Sequence, residues 1–151
     1  MAVTATLVYV VEEGRVLLIR KKRGFGAGKI NGPGGKVDEG EDVYQAAARE
    51  LLEETGLHAY RLRHAGVLEF RDLDGGPELV VHVFTASASG APRGSDEADP
   101  FWSDLEEVPW GEMWADDRLW LPHVLSGSRV YGRFTFRGNY AELVEWDVKF
   151  Y

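Results

Sequence analysis

Glu50, Glu53 and Glu54 lie three and four residues apart in the stretch Val43–Thr55, VYQAAARELLEET. At about 100° per residue those offsets put three carboxylates on one arc of a helix. Like charges so placed repel, and a hard divalent cation reverses the sign, since Mg²⁺ takes oxygen ligands from carboxylates and substrate phosphates. Val43, Ala46 and Ala47 precede them on that arc, mostly small residues that let another segment come close. A solvated acidic face is the alternative for three helical glutamates alone. The glycine-rich run GPGGKVDEG immediately upstream argues for a site that holds metal and phosphate together.

The helix itself is signalled at both ends. Asp42 suits the N-cap, with Gln45 completing a capping box, and Gly56 suits a left-handed C′ position. Ahead of it, KKRGFGAGKINGPGGKV is dense in glycine and lysine, and Lys21 is the residue to place nearest a phosphate; solvent exposure suits Lys22 and Arg23. Two further groups fit a flat, edge-polar ligand such as a purine. Asn31 offers an amide donor and acceptor, and Phe25 is able to line a flat pocket. Trp114 sits just before the adjacent carboxyls Asp116 and Asp117. Two neighbouring carboxyls in a partly dry pocket do not both ionise easily, so one keeps a proton and serves as a donor. Core packing for Trp114 and helix capping for the two aspartates are the competing readings.

The positioning elements follow from pattern. Ala2–Val11 and Arg15–Arg20 read as strands joined by a turn at Glu12-Glu13-Gly14, and Tyr60–Phe70, Glu78–Ser87 and Phe101–Val108 as further strands. His82 inside the fourth of these reads as a packed residue. Ser89–Pro100 is a loop carrying Asp96, Glu97 and Asp99. Trp114–Leu125 has helical spacing, with Pro122 calling for a helix start shortly before it or a kink. Arg129–Phe136 and Leu143–Phe150 close the chain around a Gly138-Asn139 turn. Strands before and after two helices predict an α/β (α+β) fold, a mixed β-sheet in an α/β/α sandwich.

Composition narrows the classes. The 151 residues suit one domain, and a net charge of −8 disfavours duplex nucleic acid and anionic membrane as partners. Cysteine is absent, so neither disulfides nor thiolate zinc sites contribute. With no long apolar run and no signal-like start, a cytoplasmic protein is the default.

Gly35, Glu41, Arg49, Glu50, Leu51, Glu53, Glu54, Gly56 and Leu57 fill every fixed position of the box GX5EX7REUXEEXGU, so the chain resembles the Nudix hydrolases. That resemblance implies a single Nudix domain over residues 1–151, acting as a monomer on a small nucleotide with Mg²⁺, for which Mn²⁺ is a substitute. KKRGFGAGKINGPGGKV, PELVVHVF, GSDEADPFW and MWADDRLWLP further resemble the MutT-homologue subgroup, which clears oxidised purine nucleoside triphosphates. It implies base recognition by Asn31, Asp116, Asp117 and Trp114, with Thr6 and Lys21 also on the nucleotide and Gly34, Gly35 and Lys36 completing the binding loop. The metal would be held by Glu50, Glu53 and Glu54 with a carbonyl of Gly34 or Gly35 and Glu97, the loop carboxylate in SDE. Attack of water on an internal phosphorus would give a monophosphate and pyrophosphate. Glu54 or Glu53 would be the general base, Glu97 the reserve; Glu41 and Arg49 would brace the box. Pro33, where the subgroup has phenylalanine, and the segment Leu73–Val80 depart from the pattern and bear on base preference. Other modified purine nucleotides or dinucleoside polyphosphates as substrates, or a non-catalytic binding module, are the alternatives.

Overall fold

The computed structural model describes residues 2–151. Its strands are β1 (Ala2–Glu12), β2 (Arg15–Lys21), β3 (Ile30–Asn31), β4 (His58–Asp72), β5 (Glu78–Ser89), β6 (Ala98–Asp104), β7 (Val130–Arg137) and β8 (Glu142–Phe150). The helices are α1 (Val43–Thr55) and α2 (Asp117–Leu125), with a short 3₁₀ turn at Trp110–Glu112. The strands run in the order β3-β2-β1-β5-β4-β7-β8, with β6 against β2. Pairs β1–β5 and β4–β7 are parallel and the rest antiparallel, which makes the sheet mixed, as predicted.

Alternation along β1 explains the layering. Val8 and Val10 pack with Leu17, Phe84 and the α1 residues Ala47 and Leu51 on one face. Tyr9 packs with Val83, Leu68, Phe134 and the α2 residues Trp120, Leu121 and Val124 on the other. One helix therefore covers each face. The predicted caps of α1 form as read: Asp42 accepts from the Gln45 N–H at 2.8 Å and Gln45 Oε1 from the Asp42 N–H at 2.9 Å. Gly56 adopts φ 78° and donates to Leu52.

Most strand ends fall within two residues of expectation, and two elements differ by more. Strand β6 spans Ala98–Asp104 rather than Phe101–Val108. All seven of its residues pair with β2, including Pro100 opposite Ile19, which an edge strand tolerates. The second helix starts at Asp117, not Trp114. The Trp114 N–H donates to the Asp117 carboxylate at 3.0 Å, forming a closed turn ahead of the helix. Pro122 lies inside α2, where its missing N–H leaves one helical bond unmade.

Candidate active site

Residues 33–37 run antiparallel beside β1. Val8 N–H donates to Pro33, Thr6 N–H to Gly35 at 2.9 Å, and Val37 N–H to Thr4. Pairing at alternate residues turns the Gly34 peptide away from β1, and its N–H donates to Glu54 Oε1 at 2.7 Å. Only glycine permits this approach. A Cβ on Gly34 would stand 1.9 Å from the Thr6 carbonyl oxygen, and one on Gly35 would stand 2.6 Å from the Glu50 carboxyl.

The three box glutamates have different environments. Glu54 is buried, and desolvation raises its pKa to about 7 against the Gly34 hydrogen bond and the field of Lys21. Glu50 is mostly buried and also raised, burial outweighing its 2.7 Å pair with Arg49. Glu53 is exposed and faces Arg49 at 3.3 Å. The geometry of the helix accounts for the split, because Glu53 lies about 100° around the axis from Glu54. Arg49 also forks onto both oxygens of Glu41, at 2.8 and 2.9 Å, and donates to the Lys36 carbonyl, tying loop to helix. Glu97 lies opposite the end of β2, near Lys21, with its carboxylate lowered in pKa chiefly by its hydrogen bonds from Arg23. Lys22 and Arg23 are exposed, as expected, Lys22 with a surface pair to Asp99 at 3.0 Å.

Among the described residues no three carboxylates converge as a ready cation cage. The donor set nevertheless suits a hard cation. Glu54 is a dehydrated carboxyl lacking a cationic hydrogen-bond partner, Glu50 stands beside it, and the Gly34 carbonyl is the loop oxygen that β1 does not use. The Gly35 carbonyl is taken by Thr6, which also approaches it with its hydroxyl at 3.4 Å.

A cleft extends from Glu54 across the sheet to the start of α2. Its polar groups are Thr6, Lys21, Asn31, Glu54, Asp116 and Asp117, and its floor includes Ala5, Leu7, Leu79, Val81, Phe70 and Phe136. Asn31 Oδ1 accepts from the Gly32 N–H at 2.9 Å. Neither aspartate caps α2. Asp116 accepts from the Trp120 indole N–H at 2.8 Å, while Asp117 accepts from Trp114. Both are buried, and burial raises both, Asp116 to about 6 and Asp117 further still because Asp116 faces it. Phe25, 47 % exposed, stacks on Trp114 with centroids 5.3 Å apart, so one ring of the pair already covers a face of the other. Lys36 pairs with Ala5 at the cleft edge, while His82 lies outside it, with its Nδ1 2.8 Å from His64 Nε2.

Leu79 falls in the segment Leu73–Val80, read from sequence as bearing on base preference, whereas Val81 and Tyr140 are not among the sequence candidates. Leu79 and Val81 enter the floor through the parallel register with β1, where Leu79 pairs with Val3 and Val81 with Ala5. Tyr140 reaches the aromatic group through a turn whose N–H donates to Asp72 at 2.8 Å. A Gly-Asn turn signal marks that corner but not where it folds.

The NUDIX domain model matches residues 1–124. The chain is 50% identical over 135 residues to the oxidized purine nucleoside triphosphate hydrolase of Danio rerio, covering 89% of this chain and 86% of that one. Against the protein of the same description from Mus musculus the identity is 46%, over 87% and 85% of the two chains. The crystal structure of the mutator MutT protein from Bacillus halodurans superposes with a TM-score of 0.87 at 29% identity, covering 97% of each chain. By box, fold and likeness, this chain belongs to the Nudix family.

Proposed function

We propose that the chain is a hydrolase of oxidised purine nucleoside triphosphates, acting as a single-domain monomer and releasing a nucleoside monophosphate and pyrophosphate. The observation that carries this reading is one cleft with a buried glutamate at one end and a buried aspartate pair at the other. The printed activity of the fish and mouse relatives supports the same substrate class.

In this mechanism Glu50, Glu54 and the Gly34 carbonyl would hold Mg²⁺, or Mn²⁺ in its place. When bound, the cation neutralises charge developing on the phosphate oxygens and orients a water for in-line attack. Glu53 and Glu97 join that set if Arg49 and Arg23 release them. Lys21, facing both Glu54 and Glu97, meets the phosphates together with Lys36. Glu54 takes the proton of the attacking water. Its place suits it to this role, because it lines the cleft with one oxygen fixed by the Gly34 N–H. Glu53, solvated and tied to Arg49, is less suited.

The base end works by hydrogen bonding. Guanine-type edges present adjacent N–H donors, which carboxylate oxygens accept, and a proton shared within the Asp116–Asp117 pair lets the same pocket offer a donor to other purine edges. Asn31 completes the edge contact. Trp114 stacks on the base, with Phe25 yielding that face or stacking in turn.

Steady-state hydrolysis of 8-oxo-dGTP, 2-hydroxy-dATP, dGTP and a dinucleoside tetraphosphate with Mg²⁺, with products identified, tests the reading. Preference for either oxidised nucleotide with release of pyrophosphate is the expected result. Preference for the dinucleotide, or no turnover of any, rejects it.

A further inference from the structure

Along β1, Ala5 and Leu7 line the cleft, and Tyr9 is the next residue on the same face. Tyr9 is fully enclosed, and its phenolic oxygen is the one buried side-chain polar atom among the described residues with no hydrogen-bond partner. A buried O–H left unpaired carries a desolvation cost that phenylalanine would avoid.

The surroundings of Tyr9 tie together both walls that face a purine edge. On one side its ring presses on Gly32, where an added Cβ would meet ring carbons at 2.6 and 2.7 Å. The Gly32 N–H, close enough to act on the phenol, is donated to Asn31 Oδ1 instead. On the other side Tyr9 makes an edge contact, 6.0 Å between centroids, with Trp120, whose indole N–H holds Asp116. The fields of Asp117 and Asp116 both reach the phenol. The remaining charged group acting on the pair is Lys29, from the loop after β2.

We propose that Tyr9 is a positioning residue for the Asp116–Asp117 pair: its enclosed O–H, linked to the charged member of the pair through one enclosed water, biases which purine edge the pair accepts. The specificity part of this rests on the substrate reading above; the hydrogen-bonding part does not. An O–H aimed at a carboxylate favours the charged form. Removing it leaves the pair more protonated at a given pH, which weakens acceptance of edges that present two donors.

The test is Tyr9→Phe, which removes only the oxygen. Titration of ¹³C-carboxyl-labelled aspartate, followed by NMR without nucleotide, should show the pair's midpoint moving up by about half a pH unit or more. At neutral pH the ratio of kcat/KM for 8-oxo-dGTP over 2-hydroxy-dATP should fall about threefold or more, a change in preference that lost packing alone would not produce. An unmoved midpoint overturns the proposal. A moved midpoint in a protein that hydrolyses neither nucleotide upholds the positioning role and rejects the substrate reading instead. Should the variant not fold, the Tyr9 ¹³Cζ resonance of the unaltered protein decides: an inflection over the pair's titration range supports the proposal, and a flat profile there overturns it.

Discussion

At the scale of single residues, burial assigns different tasks to like groups. Glu54 and Glu53 are neighbours in sequence, yet one is enclosed against Gly34 and the other is solvated beside Arg49. Glu54→Gln should therefore keep the melting temperature within a few degrees and lower kcat by several orders of magnitude, whereas Glu53→Gln should cost less; comparing kcat of the two variants checks it. Trp114→Ala should raise KM more than it lowers kcat, by about 5- to 160-fold, the worth of one base stack. Asp116 supplies a pH dependence with a definite sign. Its folded pKa is raised by burial to about 6, against 3.8 ordinarily. The unfolded chain thus loses this proton at lower pH than the fold does, so stability falls as pH rises from about 4 through about 6. Denaturant unfolding across that window should show a shallower fall for Asp116→Asn than for the unaltered chain.

At the scale of elements, the glycine loop acts as a short strand that delivers a peptide group to a helix. Its two central glycines have different reasons to lack a side chain, and their variants should separate. Gly34→Ala puts a methyl into the backbone of β1, 1.9 Å from a carbonyl oxygen that does not move without breaking the pairing. It should destabilise by about 2 kcal/mol or more and abolish activity. Gly35→Ala meets only the far end of the Glu50 side chain, which can swing aside. Stability should change little while the Mg²⁺ concentration for half-maximal rate rises severalfold. Thermal unfolding and a Mg²⁺ titration of activity distinguish the two.

At the scale of the whole molecule, the sheet separates two cores, one beneath α1 and the other beneath α2; the cleft takes its apolar floor from the α2 side, and α1 contributes Glu54 to it. Leu51 belongs to the α1 side, fully buried and one residue from Glu50. Leu51→Ala should cost about 2–5 kcal/mol by the cavity it leaves. While the protein remains folded, the base preference, built on the α2 side, should be unchanged; denaturant unfolding together with the substrate panel checks both halves. Among the described residues no helix is long and apolar enough to cross a membrane.

Short-range rules carried the sequence reading a long way. The capping box, the left-handed Gly56 and the spacing of the glutamates are contacts between residues a few positions apart, and such contacts are decided by local backbone geometry. Local pattern made Asn31, Lys21 and the aspartate pair visible as candidates, and resemblance to the family set the pair above helix capping. Tertiary structure decided what locality does not reach. Which glutamate is dry depends on a loop twenty residues upstream, and the aspartates turn inward because Trp120 and Trp114 offer N–H donors there, so capping lost to burial. The cleft floor depends on β5 lying parallel to β1, a register that alternation within either strand leaves open. Tyr9 reads in sequence as one more apolar strand residue; only the folded chain encloses its ring and hydroxyl between Gly32 and Trp120.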